Sequence, residues 1–223
     1  MLFRSTNAGF MGATPIVGGT VPLAVGSAWA DSLFDRDSVT VVFFGDGCFE
    51  EGVVHESLNF ATLHSLPVVF ICENNDFSVY TRRSERQPSR PIFQVAEAHG
   101  LSAVRGDGND VCAVSELSSQ AIKAARRGQG PQFLEFETYR WREHCGPDFD
   151  DHLQYRTKEE VEVGQKQCPI QREIARLKGG LEFNDGHISA LINSIDAEIE
   201  AAFKEAISSP TAAQPLTEAA LYA

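Results

Sequence analysis

Asp46 stands between Gly45 and Gly47 where the apolar run VVFF ends, and about 26 residues after Gly47 a second apolar run, PVVFIC, leads into Glu73-Asn74-Asn75. A carboxylate oxygen and an amide oxygen are hard ligands, suited to Mg2+ or Ca2+ rather than zinc. Two protein oxygens alone hold Mg2+ weakly, because the ion completes its octahedron with waters and phosphate oxygens. The pair therefore points to a bound phosphate as well as a cation. Gly45 and Gly47 would let a diphosphate approach the backbone, and the N–H groups of a following helix start favour anions. Taken alone, Gly-Asp-Gly is most simply a turn, and a second copy occurs at Gly106-Asp107-Gly108. That copy follows a short polar strand, and Asn109 with Asp110 supplies a helix cap. Only the first copy combines a buried strand, a helix and a strand-ending Asn pair.

These residues need a frame. The run over 38–44 is continuously apolar, which predicts a strand covered on both faces, and 67–72 predicts another. Between them, 50–64 carries Val54, Leu58 and Ala61 on one helical stripe. Ligands of parallel α/β sheets bind outside the carboxyl ends of the strands, so Asp46 and Asn75 are expected side by side at one sheet edge. A short strand over 101–104, a helix over 110–126 and a strand over 132–139 continue the alternation. Residues 1–12 read as loop. A helix opening near Pro22 follows, with Leu23, Gly26, Ala30 and Leu33 available to share a packed face. The fold class expected is α/β, a mostly parallel sheet with helices on both faces. After Trp141 the chain becomes polar and aromatic in a loop too long for an ordinary connection. Helices over 158–177 and 187–208 and an extended tail follow. We expect an α/β domain over 1–157, with residues 158–223 forming C-terminal helices and the tail.

The stretch FGDGCFEEGVVHESLNFATLHSLPVVFICENNDFSVYT resembles the thiamine diphosphate signature in the α subunit of the E1 component of 2-oxo acid dehydrogenases. GFMGATPIVGGTVPLAVG, GPQFLEFETYRWREH and CPIQREIARLKGGL agree, so the resemblance covers nearly the whole chain. It implies thiamine diphosphate and Mg2+ as cofactors in a thiamine diphosphate-binding fold. Asp46, the Asn75 side chain and the Phe77 backbone carbonyl would be metal ligands. Gly47 and Cys48 would lie against the diphosphate, Val17 would approach the aminopyrimidine through its backbone, and His144 would reach the phosphates as the catalytic-loop histidine. The implied reaction is oxidative decarboxylation of a small 2-oxo acid with acyl transfer to a lipoyl group. The implied partners are a β-type subunit, as α2β2, and a lipoyl-bearing E2 protein. Relatives have Ala at Cys48, Tyr at Phe77 and Ser at Cys145, so control by phosphorylation at Cys145 is not expected. They also carry a preceding segment, with a Tyr-Arg pair for the diphosphate, that this sequence does not contain. Two alternatives stay open: another thiamine diphosphate-dependent decarboxylase or acyl-transferring enzyme, or a truncated homologue that only associates with a partner.

The bulk composition is compatible. Over 223 residues, 31 acidic against 19 basic side chains give a net charge of -12, which argues against nucleic acid or an anionic membrane as partner. Five scattered cysteines without a CxxC pair suit a reduced compartment, and with no signal-peptide pattern or apolar span the expected location is cytoplasmic. Among the remaining histidines, His55 and His64 lie nine apart on one helix and do not share a face, and His99, His152 and His187 read as structural or solvated. Arg82, Arg83, Arg86 and Arg90 read most simply as a solvated loop. Arg140, Arg142 and His144 are stronger candidates for steering anions.

Overall fold

A computed structural model describes residues 3–5, 9–180 and 183–210. Four parallel strands form its central sheet: β3 (Thr40–Gly45), β4 (Val68–Asn74), β7 (Ser102–Asp107) and β8 (Gln132–Glu137), in the order β3-β4-β8-β7. Two antiparallel pairs lie outside it. β1 (Phe3–Ser5) pairs with β2 (Phe10–Ala13), and β5 (Phe77–Ser78) with β6 (Thr81–Arg82), which runs into the single turn α3 (Arg83–Arg86). The expectation of plain loop over 1–12 is thus corrected, and the part of that stretch at 1–2 and 6–8 lies outside the described residues.

Alternation along the strands sends side chains to two cores. On one face Val42, Phe44, Val68, Phe70, Cys72 and Phe133 meet three helices: α1 (Thr20–Leu33), α2 (Gly52–Leu63) and α4 (Ile92–Ala98). On the other face Val69, Ile71, Leu134 and Phe136 meet Ala121 and Ala125 of α5 (Val111–Arg126). Phe70 and Phe133 are fully buried, and burying such a ring contributes roughly 1.5–3 kcal/mol.

Two packing expectations are corrected. β3 is an edge strand, and among the described residues α5 alone covers the sheet's second face and leaves Phe43 59% exposed, so β3 is not covered on both faces. α1 buries Val21, Val25 and Ala28, while Leu23 and Leu33 point outward. The helix is apolar nearly all round, so periodicity alone could not choose its inner face.

The expected long C-terminal helix is two helices, α6 (Lys158–Lys166) and α7 (Pro169–Gly179), because Pro169 lacks the N–H that would continue α6 and starts a new first turn instead. α8 spans Asp185–Ser208 behind an Asn184 capping box. Contacts group the chain into units of Met1–Arg172 and Glu173–Ala223. The expected tail from residue 211 onward lies outside the described residues. No helix among the described residues is long and apolar enough to cross a membrane.

Candidate functional site

Asp46 follows β3 directly, and its carboxylate is fully buried. The register pairs Gly45 with Glu73, so the chain segments carrying Asp46 and Asn74-Asn75 leave adjacent parallel strands at the same carboxyl edge. Gly47 and Cys48 then turn into a short 3-10 segment that leads to α2. The two Asn side chains divide their roles. Asn74 donates to the buried Glu135 at 2.7 Å, and its own oxygen accepts the Asp76 N–H at 3.1 Å. The second Glu135 oxygen accepts the Phe93 N–H at 2.9 Å, which satisfies this buried acid. Asn75 accepts the Phe77 N–H at 3.0 Å, and Asp76 takes a positive φ of 67°, so the chain reverses sharply after the strand. This reversal brings Ser78 against Gly47, where an added Cβ would lie 2.6 Å from the Ser78 hydroxyl oxygen.

The segment bearing Val17 joins the same edge. Gly18 has φ +79°, a conformation that favours glycine, and its backbone hydrogen-bonds the Cys48 thiol. Burial raises the Cys48 pKa, only partly offset by that bond, so the thiol is held protonated. Val17 itself is 61% exposed. Of the residues named from sequence, Asp46, Gly47, Cys48, Asn75, Phe77 and the turn at Val17 thus gather around one sheet edge. His144 is exposed, and its side chain has no hydrogen-bond partner among the described residues.

Among the described residues, one oxygen of Asp46 has no hydrogen-bond partner although it is buried. The other accepts from Arg86 Nη2 at 2.6 Å. Arg86 also pairs with Glu50 and donates from Nε to the Thr81 carbonyl at 3.1 Å. Gln87 bonds the Asp46 carbonyl at 3.2 Å and Glu50 at 2.7 Å. The solvated-loop reading is corrected here for three of the arginines, while Arg90 stays exposed. Arg86 is only 11% exposed, Arg82 bridges Asp76 and Glu160, and Arg83 bonds Asp76 at 3.2 Å. A fully buried carboxylate demands a counterion, and an Arg-rich loop following Asn75 was the available signal for one. Nothing in the spacing singled out Arg86.

The loop after β8 has a buried anchor. Arg156 donates to Asp150 at 2.6 Å with both side chains 1% exposed, and Tyr155 donates to the other Asp150 oxygen at 2.8 Å. Burial and the bond to Asp150 push the Tyr155 phenol up to about 12, so it remains a donor at neutral pH. Arg140 donates to the Val79 carbonyl at 2.7 Å and to Tyr155 at 3.2 Å, and Arg142 lies over the Phe149 ring at 4.0 Å. Both arginines are hydrogen-bonded into the loop framework, Arg142 through the Pro147 carbonyl at 2.7 Å. Phe77 packs against Tyr155 at 5.3 Å, which links this anchor to the Asn75 turn.

The second Gly-Asp-Gly is a structural turn. Asp107 accepts the Asn109 N–H at 2.8 Å and pairs with Arg172 at 2.7 Å, and Asp110 caps α5. Burial opposes the charge on Asp107, but those bonds prevail and hold its pKa below the usual value.

The sequence matches the family described as "Dehydrogenase E1 component" over residues 1–214. This chain belongs to that family. Among similar proteins, the 2-oxoisovalerate dehydrogenase subunit alpha of Bacillus subtilis is 35% identical, over 91% of this chain and 60% of its own length. The pyruvate dehydrogenase E1 component subunit alpha of Rhizobium meliloti is 37% identical, over 75% of this chain and 48% of its own. The 3-methyl-2-oxobutanoate dehydrogenase subunit alpha of Mycobacterium tuberculosis is 41% identical, over 67% and 40%. The E1-component chain described here thus spans between 40% and 60% of the length of these relatives. A solved structure from Mycobacterium smegmatis overlaps 59% of this chain and 24% of its own at 24% identity, with a TM-score of 0.46, too low to carry an argument.

Proposed function

We propose that this E1-component chain is the diphosphate-binding α-type subunit of a thiamine diphosphate-dependent 2-oxo acid dehydrogenase. The observation that carries the reading is the fully buried Asp46 at the carboxyl edge of the parallel sheet, with one carboxylate oxygen left without a partner. A buried acceptor in that state suits a cation, and the donors around it are hard oxygens. Asp46, the Asn75 amide and the Phe77 carbonyl would hold Mg2+. Gly47 and the Cys48 backbone would lie against the diphosphate, Val17 would meet the aminopyrimidine through its backbone, and His144 would reach the phosphates from its exposed loop. Thiamine diphosphate, when bound, supplies the electron sink for decarboxylation. The chain's own residues bind and orient it, and the Arg156–Asp150 anchor limits how far the His144 loop can wander.

The relatives' names, alpha subunits of 2-oxo acid dehydrogenases, support an oxidative reaction on a small 2-oxo acid; the partners in this reading are a β-type subunit and a lipoyl-bearing protein that accepts the acyl group. Calorimetric titration with thiamine diphosphate and Mg2+, with and without a β-type chain, tests the assignment. Asp46→Ala should abolish Mg2+-dependent binding, whereas Asp107→Ala should leave it intact. Equal effects of the two changes, or no heat from folded wild-type chain in either format, would overturn it.

A further inference from the structure

The guanidinium of Arg86 stands where a cation belongs. It meets one Asp46 oxygen at 2.6 Å, is itself 11% exposed, and is held from its other side by Glu50. Its Nη1 lies 3.5 Å from the position a Cβ on Gly47 would take, beside the glycine against which the proposed diphosphate would lie. Buried Asp46 needs positive charge, and Arg86 supplies it. The neutralisation is incomplete, since the second carboxylate oxygen has no partner. A divalent ion would satisfy that oxygen. It would also repel the adjacent guanidinium, because like charges a few ångströms apart in a partly buried site interact strongly.

We propose that Arg86 is a resident counterion that a divalent metal must displace, so that loading the site is an exchange of cations at Asp46. The proposal rests on the functional reading above. Displacement is local. Arg82 and Arg83 tie the front of the loop to Asp76 and Glu160, whereas Arg86 and Gln87 bind only to the loop itself and to the Asp46–Glu50 segment. The freed guanidinium remains beside Gly47, where the diphosphate of the incoming cofactor offers it a new anionic partner. Arg86 therefore disfavours metal alone and favours metal arriving with a diphosphate.

The experiment is an electron paramagnetic resonance titration of the full chain with Mn2+, with and without saturating thiamine diphosphate, beside thermal melts in EDTA. Arg86→Ala should bind Mn2+ alone roughly tenfold more tightly than wild type, the scale of an ordinary coupling between sites. It should also melt lower in EDTA and gain more from added Mn2+. Arg86→Lys keeps the charge and should bind Mn2+ alone much as wild type does. Arg86→Gln, which retains a hydrogen-bond donor for Asp46, carries the alanine expectation should that variant not fold. If wild type binds Mn2+ with thiamine diphosphate but the folded neutral variants bind Mn2+ alone no more tightly, the exchange is wrong and the functional reading survives. If wild type, alone and beside a β-type chain, binds no Mn2+ under either condition, both fall together.

Discussion

At Gly47 the backbone torsions, φ −67° and ψ −32°, suit any residue, yet the space does not. A Cβ there would meet the Ser78 hydroxyl at 2.6 Å and the Ser78 Cβ at 2.8 Å, and the second of these atoms cannot swing away by a rotamer change. Gly47→Ala should therefore cost about 1–3 kcal/mol through overpacking, lowering the melting temperature by roughly 2–10 °C. Ser78→Gly in the same chain should restore most of that loss. A single variant that melts like wild type would show that the Asn75 turn does not lie against the Asp46 turn. The contrast with Gly108 is instructive. A Cβ there would lie 2.8 Å from the Glu137 carbonyl oxygen, so both Gly-Asp-Gly copies need a small residue, but only one guards a buried, half-satisfied carboxylate.

Among elements, the loop between β8 and α6 depends on one buried ion pair. Removing a partner from such a pair leaves an uncompensated charge, typically at about 3–5 kcal/mol. Asp150→Ala should accordingly lower the melting temperature by several degrees and speed proteolytic cleavage within 141–149, as followed by mass spectrometry. Unchanged cleavage would mean that the anchor does not hold the His144 loop. α6 has its own constraint. Gly164 faces the Tyr139 ring, and an added Cβ would fall 2.3 Å from the ring's Cδ1. Gly164→Ala gains helix propensity of about 1 kcal/mol in principle, yet it should destabilise, because the half-buried ring cannot yield that distance without moving the segment after β8 or the helix. A thermal melt that rises would reverse this argument.

Across the first unit, α2 and α4 meet through a pair of histidines, His55 Nδ1 and His99 Nε2 at 3.2 Å. Burial, and then the charge of His55, hold the His99 pKa below its ordinary 6.5. The unfolded chain then binds more protons than the folded one, so stability is greatest above pH 6.5 and is lost as pH falls from there through the lowered folded value. Melting temperatures measured from pH 7 to pH 5 should fall, and His99→Gln should flatten part of that slope. An identical slope in the variant would remove the pair from the account. The same unit presents Leu23, Leu33, Phe34 and Phe43 to solvent.

Much was legible without coordinates, because Asp46 and Asn75 are fixed by local logic. An apolar strand must end, the next strand runs parallel, and their carboxyl edges coincide. The helix α5, its Asp110 cap and the structural role of the second Gly-Asp-Gly follow from similarly short-range rules. What the sequence could not show were relations between segments with no common period. The inner face of α1 was ambiguous because the helix is apolar on several sides, and the exposure of Phe43 depends on how few helices cover one face. The Asp46–Arg86 pair joins residues 40 apart in the chain. Its formation is decided by how the Asn75 turn folds back on Gly47, a matter of tertiary packing that no spacing of charged residues encodes.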